Sequence, residues 1–189
     1  MSLLKASRAW LAAGVAAVLA AASAGDADAQ GKVRWKMHSA FGSKLPIVGT
    51  AGVRVAEMIT TLSEGRFEVR FFEPGALVPG IQYYDPVSQG AVDAAWGTQG
   101  FNVNKNPTYA IFGAIPFGPG AGEYLAWMRF GGGDELWNEL LARDNIKGYV
   151  CNIIPPEASG WFRREIKSIE DLRGLKMRFF GLGAKVVEK

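Results

Sequence analysis

Two segments of alternating apolar residues, separated by a long amphipathic stretch, most constrain the fold of this chain. Val33–Met37 and Phe67–Phe72 are rich in aromatic and β-branched residues and alternate with a period of two, which is typical of strands. Between them, apolar residues recur at three- and four-residue steps from Val48 to Leu62, which predicts a helix with one face in the core. A strand, a helix and a strand in this order predict a βαβ unit and therefore a parallel sheet.

The predicted helix has signals at both of its ends. Ser43 is a typical N-cap residue, and Pro46 then falls in the first turn, where proline is tolerated. Gly65 is expected to end the helix, because glycine readily adopts the left-handed conformation that follows a last helical turn. We therefore expect a helix that begins directly after Ser43 and ends before Gly65.

The middle of the chain continues the alternation of helices and strands, which keeps it in the α/β class. Ile81–Gly90 is predicted as a short helix and Val92–Trp96 as a third strand. Two further helices are predicted at Gly122–Phe130 and Asp134–Arg143, followed by a strand at Ile146–Ile154. Two prolines come next and stiffen the chain in an extended conformation, so we expect a domain boundary after this strand.

The last third of the chain contains two further predicted strands separated by a turn. Gly160–Ile166 and Leu175–Phe180 are predicted strands, and Ala184–Glu188 is the start of a predicted helix. Between the two strands, Ser168–Arg173 is predicted as a helical turn, in which Ser168 is the N-cap, Asp171 completes an imperfect capping box, and Gly174 is the residue after the last turn.

The second of these strands places Arg178 at a position of interest. The period of two puts Leu175, Met177 and Phe179 on one face, and Lys176, Arg178 and Phe180 on the other. Arg178 thus points away from the apolar face, near the carboxyl end of a strand that feeds a glycine turn. In open α/β sheets this edge is where ligands bind.

Residues 1–29 are predicted to be a secretory signal peptide. Two basic residues precede an apolar core, Ala9–Ala22, that is too short to span a membrane. Small residues then favour cleavage after Ala29, so that the exported chain begins at Gln30, while cleavage after Ala24 is the competing choice. A retained membrane helix is the disfavoured alternative.

The composition narrows the classes of function. The net charge of +3 over 189 residues, without a basic run, argues against a nucleic-acid partner. The one cysteine, Cys151, can form no internal disulfide and lies in an apolar stretch, so we expect a buried structural thiol. The chain has one histidine, His38, and no second histidine or cysteine lies at metal-ligand spacing from it. This argues against a zinc site and against a Ser-His-Asp triad. We expect His38 to line a cleft or to be held by a hydrogen bond.

The run from Gly160 to Gly181, G-W-F-R-R-E-I-K-S-I-E-D-L-R-G-L-K-M-R-F-F-G, resembles the solute-binding proteins of TRAP transporters, the DctP family. It is most similar to the branch that binds 2-oxo acids and other small monocarboxylates. Gln89–Asp93, Asn104–Pro107 and Phe112–Gly118 resemble the same family. The resemblance implies a two-lobed α/β periplasmic solute-binding fold: a nearly complete first lobe in residues 30–154 and the start of a second, truncated lobe in residues 155–189. It also implies that the sequence is an N-terminal fragment.

The resemblance also assigns roles to individual residues. Arg178 matches the arginine that grips the substrate carboxylate, and Glu157 matches a position that supplies an oxygen to a bound hard cation, sodium or calcium. The predicted substrate-binding residues are Arg178, Phe101, Trp96, Phe180 and His38. Where the family carries paired aromatic residues, this chain has Gly100 and Phe101, so the cleft wall lacks a ring and the size of the substrate stays open.

The favoured function is therefore a periplasmic protein, not an enzyme, that captures a small carboxylate and delivers it to a TRAP membrane permease; a homodimer is left open. One alternative is an exported carboxylate-handling enzyme, with Arg178 orienting the substrate and Glu157 or Asp93 as base. No second catalytic group can be placed beside Arg178, which disfavours it. A ligand-sensing subunit of a membrane receptor is the other alternative, because it would use the same site chemistry.

Overall fold

The computed structural model describes residues 31–113, 115–156, 158 and 160–188. By its contacts the chain divides into two units, Met1–Val33 and Arg34–Lys189, and the elements below belong to the second unit apart from the first residue of β1. The predicted signal peptide, residues 1–29, lies outside the described residues. Within the described ranges, no helix is both long and apolar enough to span a bilayer.

Three strands and five α-helices follow one another along this part of the chain. The strands are β1 (Val33–Ser39), β2 (Phe67–Phe72) and β3 (Ala94–Trp96). The helices are α1 (Thr50–Leu62), α2 (Tyr84–Ser88), α3 (Ala121–Phe130), α4 (Gly133–Ala142) and α5 (Leu182–Val187). Short 3₁₀ helices lie at Gln99–Asn102, Pro107–Phe112 and Ile169–Leu172.

The strands form one sheet in the order β2-β1-β3. β1 and β3 run parallel, with Met37 opposite Ala94 and Ser39 opposite Trp96, and the ladder continues where the Ala40 N–H donates to the Trp96 carbonyl at 2.9 Å. The predicted parallel sheet is confirmed for this pair of strands. Because the strands are parallel, their carboxyl ends meet at one edge of the sheet.

Helix α1 covers the sheet through its apolar face. Met37, Ala56 and Val69 are buried together, with half-buried rings such as those of Phe71 and Trp96 packed around them. Gly52 of α1 allows this close approach, since a Cβ atom there would lie 2.9 Å from the Trp96 indole. The first half of the chain thus forms a small α/β core.

A second core lies between α2, the 3₁₀ helix Pro107–Phe112, α3 and α4. Its buried members are Tyr84, Tyr109, Phe112, Met128, Trp137 and Leu141. The Tyr84 hydroxyl donates to the Asp144 carboxylate at 2.7 Å and is hydrogen-bonded to the Tyr109 hydroxyl. Desolvation by the surrounding core raises the pKa of both tyrosines above the ordinary value, so both hydroxyls stay protonated.

The predicted start of α1 at Ser43 is wrong, because the helix begins at Thr50. Residues 43–49 form turns, in which the Leu45 N–H donates to the Gly42 carbonyl at 3.0 Å. Pro46 disfavours a helical conformation at the residue before it. Ile47 lies in the left-handed region at φ 65, which a regular helix does not contain. At the other end, Gly65 follows the last turn with φ 76, as predicted.

The three strands predicted in the second half are also wrong, because Ile146–Ile154, Gly160–Ile166 and Leu175–Phe180 are irregular chain. A strand is defined by pairing with a neighbour, and within the described ranges the one sheet holds only β1, β2 and β3. The Asn138 side-chain amide pairs with the backbone N–H and carbonyl of Gly148 instead, at 2.8 and 3.2 Å. Cys151, expected to be buried in a strand, is exposed.

The turn between two of these segments matches its prediction closely. Ile169–Leu172 forms a 3₁₀ helix, and the Asp171 carboxylate accepts the N–H groups of Lys167 and Ser168 at 2.9 and 3.2 Å. These bonds, the one from Lys167 foremost, hold the pKa of the Asp171 carboxyl below its ordinary value. Gly174 follows at φ 75 as the expected left-handed residue.

Candidate functional site

The carboxyl ends of β1 and β3 form the edge at which the candidate site lies. Ser39, the last residue of β1, is fully buried and closes a tight turn: its Oγ donates to the Phe41 carbonyl at 2.7 Å and accepts the Phe41 N–H at 3.0 Å. A serine hydroxyl commonly stabilises a turn in this way. The turn carries the Phe41 side chain beyond the edge of the sheet.

Three phenylalanine rings meet here, and we call Phe41, Phe101 and Phe180 the aromatic cluster. The Phe101 ring lies 5.9 Å from that of Phe41 and 5.2 Å from that of Phe180, the latter nearly perpendicular at 88°. Edge-to-face contacts of this kind are favourable because the positive ring edge meets the negative ring face. All three side chains are half-buried, so the cluster keeps part of its surface open to solvent.

The cluster joins chain segments from both sides of the predicted lobe boundary. Phe101 belongs to the 3₁₀ helix that follows β3, and Phe180 belongs to the predicted second lobe. The structure therefore brings together two of the predicted substrate-binding residues, whose roles stay predictions. Sequence reasoning missed Phe41, although its place directly after the carboxyl end of β1 was a usable signal.

Gly100 lies against the cluster and is buried. A Cβ atom at this position would overlap the Phe180 ring. On another side, the backbone of Gly113 approaches so closely that a Cβ on Gly113 would lie 3.0 Å from the Gly100 nitrogen. The Phe180 ring thus packs directly on the backbone before Phe101.

Tyr83 holds the segment that carries Gly100 and Phe101. Its buried hydroxyl donates to the Thr98 carbonyl at 2.8 Å and accepts from the Asn102 amide at 3.5 Å, so that it contacts both ends of the turn. Burial raises the pKa of Tyr83 to about 12, which keeps the hydroxyl neutral and able to donate. The position of Phe101 is therefore set by a buried polar group.

His38 is buried completely beside this edge. Its Nε2 donates to the Gly80 carbonyl at 2.7 Å, which ties β1 to the segment before Tyr83. The other ring nitrogen, Nδ1, is buried and has no hydrogen-bond partner among the residues that the structure describes. Of the two expectations for His38, the hydrogen-bonded residue is the one observed, and a contact with substrate stays a prediction.

Trp96 ends β3, but its side chain packs toward α1. The indole Nε1 donates to the Val48 carbonyl at 2.6 Å, and the ring lies against Gly52. These contacts are those of a residue that joins helix to sheet. The predicted contact of Trp96 with a substrate stays a prediction.

Arg178 is exposed and lies two residues before Phe180. Over the described residues, no carboxylate lies within 4.0 Å of its guanidinium, so the group has no ion-pair partner there. Glu157, the predicted cation ligand, lies outside the described residues. The described residues contain no group of three acidic, histidine or cysteine side chains arranged to hold a metal ion.

One cavity of about 250 Å³ lies elsewhere in the chain. It is bounded by α3, α4 and the segment 147–150, and Arg129, one of its lining residues, donates to the Asp134 carboxylate at 3.3 Å and to the Val150 carbonyl at 3.0 Å. None of the predicted site residues lines it. We therefore take the sheet edge with the aromatic cluster, rather than this cavity, as the candidate site.

Comparison with known proteins decides the family. Residues 38–188 match the family model DctP, described as bacterial extracellular solute-binding protein, family 7. The chain belongs to the DctP family. A curated relative, the monocarboxylate 2-oxoacid-binding periplasmic protein of Nostoc sp., is 36% identical over 160 residues, which are 83% of this chain and 43% of the relative.

Solved structures of TRAP solute-binding proteins agree with this assignment. A TRAP transporter solute-binding protein from Bordetella bronchiseptica is 34% identical with a TM-score of 0.80, over 84% of this chain and 47% of that one. That protein was found as a mixed-occupancy dimer with calcium and picolinate in one active site. Relatives from Colwellia psychrerythraea and Pseudoalteromonas atlantica, each 31% identical with a TM-score of 0.74 over 83% of this chain and 48% of theirs, hold pyruvate with calcium and with sodium respectively.

The predicted α/β solute-binding fold is thus confirmed. The chain spans about half the length of the relatives it matches. The lobe boundary after Ile154 stays a prediction. DctP proteins bind solutes, which agrees with the expectation that this one is not an enzyme.

Proposed function

We propose that this protein is the solute-binding subunit of a TRAP-type transporter, and that it captures a small monocarboxylate of the 2-oxo acid type for a membrane permease. The observation that carries the proposal is the meeting of Phe101 and Phe180 at the carboxyl edge of β1 and β3, with Arg178 two residues away along the chain. An apolar wall beside an arginine suits a ligand with one charged end and a short carbon chain. The pyruvate held by two relatives has this chemistry.

Arg178 is the proposed carboxylate clamp. A guanidinium presents parallel N–H donors that match the two oxygens of a carboxylate, and it stays charged at any relevant pH. No protein carboxylate among the described residues occupies Arg178, so its donors are available to a ligand. The two-residue separation keeps the Cα atoms of Arg178 and Phe180 within about 7 Å of each other.

The aromatic cluster supplies the apolar wall in this proposal. Rings that exclude water lower the local dielectric constant, which strengthens an arginine–carboxylate pair relative to the same pair in water. Tyr83 contributes indirectly, because its two hydrogen bonds hold the turn from which Phe101 projects. The same rings offer little to a ligand with a second charge, so the wall favours monocarboxylates over dicarboxylates.

Glu157 is the proposed protein ligand of a hard cation. Calcium and sodium occur with carboxylate ligands in three relatives, and such cations take oxygen donors. One carboxylate does not complete a coordination shell. The described residues hold no cluster of three acidic side chains, so a cation here would also need oxygens from the substrate, from backbone carbonyls or from other single side chains. Bridging the protein and the substrate is the role we assign to it.

The proposal also includes export and delivery. The predicted signal peptide, cleaved after Ala29, would place the protein in the periplasm, where a solute-binding subunit meets its permease. The Bordetella relative forms a dimer, and a homodimer of this chain stays a prediction. A ligand-sensing role shares this site chemistry, so a pull-down of the membrane partner separates it from transport.

A ligand screen tests the proposal. The full-length mature protein is heated with pyruvate, lactate, longer 2-oxo acids and dicarboxylates, each with sodium, with calcium and after chelation. A ligand present at one hundred times its Kd stabilises the folded state by about 2.7 kcal/mol, which raises the melting temperature measurably. We expect a short 2-oxo acid to give the largest shift and to be recovered unchanged. Failure of every monocarboxylate to stabilise the protein, or conversion of the ligand to a product, would contradict the proposal.

A further inference from the structure

Packing, rather than backbone conformation, requires a glycine at position 100. Its φ is not among the positive values of the chain, so the backbone there would accept a side chain without strain. What excludes a side chain is space, because a Cβ atom would overlap the Phe180 ring. Gly100 is buried, and the backbone of Gly113 lies close to it on another side. The Gly100 backbone therefore has little room to move away from the Phe180 ring.

The Phe180 ring is therefore placed by two contacts. The tip of the ring, at Cζ and Cε1, lies against the Gly100 backbone, and the ring meets that of Phe101 nearly perpendicularly at a centroid distance of 5.2 Å. Aromatic pairs gain from this edge-to-face geometry, so that the ring has a preferred orientation as well as a position. A side chain at position 100 would push the ring away from the backbone and break this arrangement.

We propose that the Gly100–Phe180 contact sets the largest ligand that the site accepts, which makes both positions determinants of specificity. The inference rests on the proposed function and adds a size limit to it. In this proposal the Phe180 ring, packed against the Gly100 backbone, occupies space that the ligand's carbon chain would otherwise enter. A 2-oxo acid with a one- or two-carbon side chain fits without moving the ring, and a branched or longer chain has to displace it.

The expected size of the effect follows from how apolar pockets discriminate. One methylene group that does not fit changes the affinity about tenfold or more. The test compares pyruvate with 4-methyl-2-oxopentanoate by calorimetry on the full-length mature protein. We expect the native protein to prefer pyruvate by at least tenfold. Phe180→Ala should move the ratio of the two affinities at least tenfold toward the longer acid.

A double-mutant cycle tests the contact itself without any ligand. Gly100→Ala should lower the thermal midpoint in the native background, because the new methyl group meets the ring. In the Phe180→Ala background the same change should leave the midpoint unaltered or raise it slightly, since alanine restricts the unfolded chain more than glycine does. Non-additivity of this kind is the signature of two groups in contact.

Two matched variants serve as controls. Gly122→Ala changes a glycine whose added Cβ would meet no atom within 4 Å, and Phe130→Ala removes a phenylalanine that is 92% exposed. Neither should change the ratio of affinities.

If the native protein binds pyruvate but Phe180→Ala leaves that ratio within threefold, the inference is overturned while the proposed function stands. Additive effects of Gly100→Ala and Phe180→Ala on the midpoint would also overturn it. If the native protein binds neither acid, the proposed function fails and the inference fails with it.

Discussion

Replacing Trp96 by phenylalanine separates a packing role from a ligand-binding role for this residue. The change removes an indole N–H that donates to the Val48 carbonyl at 2.6 Å. The net contribution of such a hydrogen bond is about 0.5–1.5 kcal/mol. The indole also has two more carbon atoms than the phenyl ring, and half-burial of those carbons adds about 0.8 kcal/mol. We therefore expect the free energy of unfolding to fall by about 1–2.5 kcal/mol.

Urea denaturation followed by circular dichroism measures this loss, and calorimetry on the same variant measures affinity for pyruvate. Because the indole packs against α1, we expect the affinity to stay within about twofold of the native value, which corresponds to about 0.4 kcal/mol. Unchanged stability together with a tenfold loss of affinity would refute the packing role and restore Trp96 as a ligand contact.

Trp137→Phe is the matched control for this variant. Trp137 is buried, but its indole N–H has no hydrogen-bond partner among the described residues. The same change of ring there loses some packing, about 1.6 kcal/mol for two fully buried carbons. It also removes an unpaired polar group that costs about 1–3 kcal/mol. The two effects oppose each other, so the stability of Trp137→Phe should lie between a loss of about 0.6 kcal/mol and a gain of about 1.4 kcal/mol.

Three further predictions follow from other parts of the chain. N-terminal sequencing of exported protein should begin at Gln30, and a chain that retains Met1 in the membrane would contradict the signal peptide. Glu157→Ala should abolish the dependence of ligand affinity on sodium or calcium, and binding that never depends on a cation would remove its metal role. The exposed Cys151 should react with a maleimide in the native state, faster as the pH rises because the thiolate is the reacting form, and more slowly at neutral pH than an ordinary thiol because partial desolvation raises the pKa of its thiol; protection without denaturant would contradict this.

Several helices and strands could be predicted from local patterns. β2 occupies the predicted residues Phe67–Phe72, and α3 begins within one residue of the predicted Gly122. In β2 the alternation buries Val69 and leaves Arg70 exposed, so pattern and packing agree there. The start of α1 could not be predicted from Ser43, because the left-handed conformation of Ile47 arises from how residues 43–49 turn and leaves no mark in the apolar spacing.

In the second half of the chain, the alternation of apolar residues was not enough to predict a strand. Leu175–Phe180 alternates like a strand, but a strand requires a partner, and the described residues pair no strand with it. Leu175 and Met177 are consequently 40% and 36% exposed rather than buried on a sheet face. By contrast, the turn Ile169–Leu172 was predictable in detail, because its hydrogen bonds lie between residues close in sequence.

The candidate site likewise contains residues that the sequence could predict and residues that it could not. Phe101 and Phe180 could be predicted as members of one site from the family resemblance, and they do lie in contact. Phe41 and the Tyr83 hydrogen bonds depend on how separate segments meet, and no local pattern in the sequence indicates such a meeting. The position of Glu157 remains a prediction.

Calorimetric titration of Arg178→Ala with pyruvate tests the central claim most directly. Removing one partner of a desolvated charge pair costs about 2–5 kcal/mol, so the affinity should fall by about one and a half to three and a half decades while circular dichroism stays native. Arg178→Lys should also weaken binding substantially, because lysine keeps the charge but loses the paired donors. Arg173→Ala, which removes another exposed arginine from the same segment, should bind normally. Near-native affinity of a folded Arg178→Ala variant for pyruvate would contradict the proposed site.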